Sequence, residues 1–452
     1  MTGGQAVTTR WRTIGVLSIV ALLFSACTSG TATPSPSAAQ SAAQSAVASA
    51  PATPAPSDTA KPVTIEWWHI TTGDPGKSVF QGIADAYHAL HPNVTINITI
   101  LENEAFKTKL ATSMQSGQVP DLFQSWGGGI MAAQADAGML KDITSDVASW
   151  KDTINPGALS IYAYKGKQYG IPWDMGMIGV WYNKKLFTQA GISAPPATWE
   201  DFLADVGKLK AAKIVPLAIA GKDMWPSMHL WTYLALRIGG GDNMAQMVQS
   251  GNWNTDACKA AGDQVLKLNA LDPYQPGFKG ADYNAEAAAV GNGKAAMEVM
   301  GQWAPSVEQD QSTSKKGLGT DLGWFPFPTV AGGAGAPTDG VGGGNGIAVG
   351  KNASPEALDF LKFFSSVENA TKINTNNFGL SPVVGTESAI TDPNLQAVLA
   401  GRGKATFMQL YLDQATSPAM GTAINQATIG IFDGVSTPDK VCQAITSAAA
   451  AQ

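Results

Sequence analysis

Two early stretches, Val63-Thr-Ile-Glu-Trp-Trp-His69 and Val94-Thr-Ile-Asn-Ile-Thr-Ile100, alternate apolar and polar positions with a period of two, which predicts half-buried strands. Between and after them, residues 78–90 and 103–115 repeat their apolar positions at helical spacing. A third unit follows in Asp121-Leu-Phe-Gln-Ser-Trp-Gly-Gly-Gly129: Leu122 and Phe123 read as a short buried strand, and residues 130–136 as the start of a helix. Strand and helix in strict alternation predict an α/β fold with a parallel sheet, whose ligand loops gather at the carboxyl ends of the strands. Three polar loops, residues 69–74, 102–104 and 125–129, should therefore converge. Trp126 and the bare backbone of Gly127 sit in the last of them.

Farther along, residues 162–173 read as a hairpin turning at Lys165-Gly166-Lys167. Thr198 with Asp201 forms a capping-box variant ahead of a helix over 202–213, and Ser354-Pro355 is a cap with proline at the first helical position. Residues 216–221 predict a strand, 254–269 an amphipathic helix carrying Cys258, and 293–300 a buried strand ending in Gly301-Gln302-Trp303. Gly340-Val-Gly-Gly-Gly-Asn345 reads as a glycine-rich loop before a strand over Gly346–Val349, with backbone open to close approach by a ligand.

The first sixty residues carry no such pattern. Arg10 and Arg12 precede an apolar run from Ile14 to Phe24, shorter than the roughly 20 residues a membrane-spanning helix needs, so residues 1–26 are expected to be a signal peptide. Small residues followed by Cys27 resemble a bacterial lipobox, with Cys27 acylated; a plain secretory signal cut at an alanine is the alternative. Residues 27–62, almost wholly Ala, Ser, Thr, Pro and Gln, cannot bury enough surface to fold and should form a tether to the membrane.

A length of 452 residues predicts two lobes of roughly 150–200 residues each. Charged residues make up 14% and the net charge is −6, which points away from nucleic acid as a partner. The four histidines stand in no metal-ligand spacing and no GxSxG occurs, so neither a metal nor a cofactor is expected. Export would leave Cys258 and Cys442 as an even pair, either a disulfide or two buried thiols.

Five segments in order, Gly170-Ile-Pro-Trp173, Val180-Trp-Tyr-Asn-Lys-Lys-Leu-Phe187, Ala190-Gly-Ile-Ser-Ala-Pro-Pro-Ala-Thr-Trp-Glu-Asp201, Ile214-Val-Pro-Leu-Ala-Ile-Ala220 and Asn292-Gly-Lys-Ala-Ala-Met-Glu-Val-Met-Gly-Gln-Trp303, resemble the extracellular solute-binding proteins of bacterial carbohydrate ABC importers, the maltose-binding-protein-like group. The likeness runs from Val63 to the end. It implies a type II periplasmic-binding-protein-like fold of two α/β lobes, residues 63–174 with 327–382 and residues 175–326 with 383–452. Three hinge crossings would join them, near residues 174–177, 325–329 and 382–385.

That resemblance implies a monomer held by lipid at the extracellular face of the cytoplasmic membrane, delivering sugar to the transmembrane subunits of an ABC permease. Indole faces stack on sugar rings, and fixed planar polar groups pair with hydroxyls. The expected cleft residues are His69, Asp74, Glu104, Trp126, Gly127, Trp173, Asp174, Trp225, Trp303 and Asn345. Several stacking faces imply several rings, hence a neutral oligosaccharide of two units or more, with β-linked xylo- or gluco-oligosaccharides favoured. Scarce Arg and Lys in these loops argue against a phosphorylated ligand. The rival is a secreted, tethered glycoside hydrolase, for which Glu104 and Asp174 could serve as the carboxyl pair; a structural or adhesive role fits the ordered βα pattern poorly.

Overall fold

A computed structural model describes residues 61–451. The expected signal peptide, Cys27 and nearly all of the tether lie outside the described residues.

The first sheet has five strands in the order Val94–Ile100, Val63–His69, Leu122–Ser125, Gly346–Val349, Gly170–Pro172. Its first three are parallel, linked by the helices Gly76–Leu90 and Asn103–Gln115, and the strand Gly346–Val349 runs against both its neighbours. Alternation in Val63–His69 turns Ile65, Trp67 and His69 inward onto Phe80, Phe360 and Phe364. The second sheet orders Leu322–Phe325, Gly179–Asn183, Ala295–Met300 and Val215–Leu217. Every residue of Ala295–Met300 is buried, as its unbroken apolar run predicts for a central strand.

The longest helix, Trp225–Ser250, left no amphipathic signature to read. Its residues from Trp225 to Arg237 are buried without interruption, because it runs through the larger core instead of along a surface. Gly240, at φ 80° and ψ 169°, breaks its path. Thr198 and Ser354 cap their helices as expected, accepting from the amides of Asp201 and Ala357.

Between the two sheets lies a small third one, Met408–Leu410, Gly340–Gly343 and Gly176–Met177. The glycine-rich stretch expected as a loop is thus a strand over Gly340–Gly343. Having almost no side chains it shows no alternation, and it is glycine because its neighbours press close: a Cβ on Gly342 would lie 2.6 Å from the Gly176 carbonyl oxygen, and one on Gly344 1.7 Å from that of Asp174.

Two expected boundaries shift. Phe327 stacks on Tyr233, Val341 packs in the same core, and Arg237 donates to the carbonyls of Phe327, Pro328, Ala336, Pro337 and Asp339. Residues 327–341 thus stay with the second lobe, and the chain rejoins the first sheet only at Gly346, not at 327. Val383 still packs in the first core and bridges to Ile154, whereas Ile390 and Leu395 pack beside Trp181 and Met300. The last handover therefore falls after Val384.

Cys258 and Cys442 are joined in a disulfide that ties the helix Asp256–Asn269 to the helix Pro438–Ala450.

Candidate functional site

A cavity of about 170 Å³ lies where the carboxyl ends of the first sheet's parallel strands face the second lobe. The first lobe supplies residues 70–74, Glu102, Asn103, Lys107 and Trp126; the crossings supply Trp173 and Asn345. From the second lobe come Trp225 and His229 of the long helix, Tyr283 and Asn284 of the helix Tyr283–Gly291, Trp303 and Asp310 at the helix Ala304–Gln311, and the segment Tyr411, Asp413 and Gln414.

Four indoles surround the space. Trp225 packs at 5.0 Å from Tyr283 and 6.5 Å from Trp303, and Trp303 meets Tyr411 edge-on at 5.9 Å. Trp173 is braced by Phe80 at 5.0 Å and Phe378 at 5.9 Å, and Trp126 by Phe106 at 6.1 Å. Each ring is thereby fixed before any ligand arrives, which spares the entropy of ordering it on binding. The lobes touch across the mouth: Asn284 Nδ2 donates to Glu102 Oε2 at 3.2 Å, and Asp310 lies so close to Gly73 that a Cβ there would sit 2.8 Å from its carboxyl carbon.

Six of the ten expected residues, Asp74, Trp126, Trp173, Trp225, Trp303 and Asn345, line this cavity. His69, Glu104, Gly127 and Asp174 do not. The alternation of its own strand carries His69 into the core, where burial holds its pKa down to about 4 and Nδ1 accepts from the Thr71 amide at 3.2 Å. It shapes the loop over 71–74 without facing the cavity. Glu104 lies on the outer side of its helix, paired with Lys107 at 2.8 Å, while Glu102 and Asn103 take the cavity position.

Gly127 serves conformation, not contact: φ 68° and ψ −147° start the next helix, and a Cβ would strike the Ile161 carbonyl at 2.5 Å. Gly128 and Gly129 likewise admit the second lobe's backbone, with Gln414 and Thr416 carbonyls 2.5 and 2.4 Å from their would-be Cβ atoms. The triple glycine is an inter-lobe seam.

Asp174 is fully buried beneath the cavity. Its Oδ1 accepts from the Leu380 amide at 2.7 Å; Oδ2 accepts from Gln302 Nε2 at 2.6 Å and Asn345 Nδ2 at 2.8 Å. Asn345 Oδ1 in turn accepts from Gln124 Nε2 at 2.7 Å. One carboxylate thus joins the strand ends of both lobes and all three crossings. Burial lifts its pKa from 3.8 to about 6, against the opposing pull of these hydrogen bonds.

Other wall residues gave no signal. Tyr411, Asp413 and Gln414 belong to a turn at the start of the helix Leu412–Ala415, far from any motif. His229 is buried in the unread helix, and its burial, helped by the charge of Lys107, lowers its pKa to about 3, so the ring is neutral. Several lining atoms are buried without a protein partner: Trp225 Nε1, His229 Nδ1, Tyr411 Oη and Asn103 Oδ1. Such orphans cost free energy unless something fills them. Among the described residues no group of His, Cys, Asp and Glu is placed to hold a metal.

Fold and cleft together define a periplasmic-binding-protein-like receptor of type II, two α/β lobes closing on a small molecule. Residues 72–371 match the family model described as bacterial extracellular solute-binding protein, and the chain belongs to that family. It is 29% identical over 236 residues to a probable sugar-binding periplasmic protein of Mesorhizobium japonicum, covering 51% of this chain and 54% of that one. It is 26% identical over 356 residues to the maltotriose-binding protein of Pyrococcus abyssi, 76% and 71% of the two chains. The chain thus spans about half the length of the first of these relatives. Among solved structures, one from work on xylan utilization by Caldanaerobius polysaccharolyticus superposes with a TM-score of 0.78 at 25% identity, covering 85% of this chain and 99% of the other. A chitin oligosaccharide binding protein superposes at 0.76 and 24%, covering 85% and 98%.

Proposed function

We propose that this chain is the sugar-binding receptor of an ABC importer, taking a neutral sugar between its lobes and delivering it unchanged to the membrane permease. In this reading it is a monomer anchored through lipid on Cys27 at the extracellular face of the cytoplasmic membrane. The observation that carries the reading is the cavity wall: four braced indoles around buried donors and acceptors that lack protein partners. Indoles cover the C–H faces of a pyranose, and the unpartnered groups take its hydroxyls. Relatives named for sugar and maltotriose binding support the ligand class.

Lobe closure supplies the signal. A permease that binds the closed form more tightly responds to loaded receptor, since ligand shifts the population toward closure. The hydrolase alternative loses its two nominated carboxylates, because Glu104 faces outward and Asp174 is consumed by three hydrogen bonds.

The test is a thermal-shift screen of neutral saccharides with the parent and with Trp126→Ala and Trp303→Ala. A rise in melting temperature with one sugar class, largely lost in both variants, is expected. Equal rises in all three proteins refute the site, and chromatographic appearance of shortened sugars refutes non-catalytic capture.

A further inference from the structure

Resting on the sugar-receptor reading, we infer that the site is a sealed chamber for a neutral saccharide of at most two rings, read at its second-lobe end by Tyr411, Trp225 and His229. Three observations carry this. The first is size: about 170 Å³ falls below the roughly 300–1,000 Å³ of sites that enclose drug-sized ligands.

The second is the seal. Glu102 and Asn284 bond across the mouth at 3.2 Å, and Asp310 lies against the bare backbone of Gly73. A chain that protruded would have to part both contacts, so a third ring lies outside what the closed lobes hold. That narrows the expectation of two units or more to two or fewer.

The third is the distribution of polar groups. Tyr411 Oη, Trp225 Nε1 and His229 Nδ1, buried and unpartnered, belong to residues that adjoin one another, His229 packing 5.4 Å from Trp225 and 5.3 Å from Tyr411. A neutral histidine and a phenol can each accept or donate, whereas an indole only donates, a set suited to hydroxyls. Four carboxylates on the wall, Asp74, Glu102, Asp310 and Asp413, stand against one cation, Lys107. Phosphorylated and uronic sugars are disfavoured there by like charge.

The experiment is calorimetric titration of the full exported chain with xylose, glucose and galactose and with their β1,4-linked di-, tri- and tetrasaccharides, beside Tyr411→Phe. One or two rings should bind, and adding a third should weaken binding at least about 10-fold, since displaced mouth contacts are not regained. Tyr411→Phe should keep its ligand-free melting temperature, as the hydroxyl has no protein partner, yet bind about 10-fold more weakly because a sugar hydroxyl is left unpaired. Trisaccharides binding as tightly as disaccharides overturn the inference while leaving the receptor reading standing. Unchanged affinity in Tyr411→Phe overturns the assignment of the reading end. No binding by any sugar of the series overturns both.

Discussion

Replacing Asp174 with alanine tests the argument that one buried carboxylate holds the hinge together. Three buried donors, the Leu380 amide, Gln302 Nε2 and Asn345 Nδ2, lose their acceptor. At about 2 kcal/mol for each stranded donor the loss is about 6 kcal/mol. Against it stands relief of the buried charge: a pKa raised from 3.8 to about 6 corresponds to about 3 kcal/mol at neutral pH. The net expectation is a loss of about 3 kcal/mol at pH 7.5, read by urea unfolding.

The pH dependence has a definite sign. Because the folded pKa is raised, the stabilisation belongs to the protonated form; it is complete below 3.8 and is lost as pH rises through about 6. The parent therefore gains stability on acidification that the variant does not. The gap between them should widen by about 2 kcal/mol between pH 7.5 and pH 4.5. Sugar affinity should fall too, since Trp173 and Asn345 flank the lost anchor. A variant as stable as the parent at pH 7.5, or a gap that stays level or narrows at low pH, would refute the reasoning.

Two more expectations rest on features away from the cavity. The disulfide closes a separation of 184 residues, for which chain entropy gives about 5 kcal/mol of stabilisation as an upper figure; Cys258→Ser with Cys442→Ser should lower the urea midpoint, and a midpoint shared with the oxidised parent would contradict this. Glu286, Glu298 and Glu308 are buried together, Glu298 hydrogen-bonded to the other two, and the charged groups acting on them are each other and Asp223. Burial raises all three, Glu298 to about 7, so their stabilisation is present at low pH and lost as pH rises through 7. Melting temperature should drop across that window in the parent and less in Glu298→Gln; parallel curves would remove the shared-proton account.

The legible part of the fold was the part whose burial is one-sided. Strands Val63–His69 and Val94–Ile100 and their helices announce themselves by period, because one face meets the core and the other meets water. The helix Trp225–Ser250 and the strand Gly340–Gly343 did not. One is buried on nearly every side and the other has almost no side chains, so neither leaves a periodic trace.

The candidate site divides in the same way. Asp74, Trp126, Trp173 and Asn345 follow strand ends or polar loops, where an α/β sheet gathers its ligand residues. Asp174 occupies such a position too, yet its side chain turns inward, because three donors from distant segments meet beneath the cavity and claim it. His69 likewise points where the pleat directs it.

What the amino-acid order determined unaided is local: which stretches pair as strands, where caps start helices, and that several indoles stand at strand ends. Tertiary structure alone decided which polar atoms remain free to meet a ligand, because that depends on partners contributed from across the chain. Tyr411 faces the cavity and Asp174 does not for that reason: the packing of the two lobes supplies partners to one and withholds them from the other.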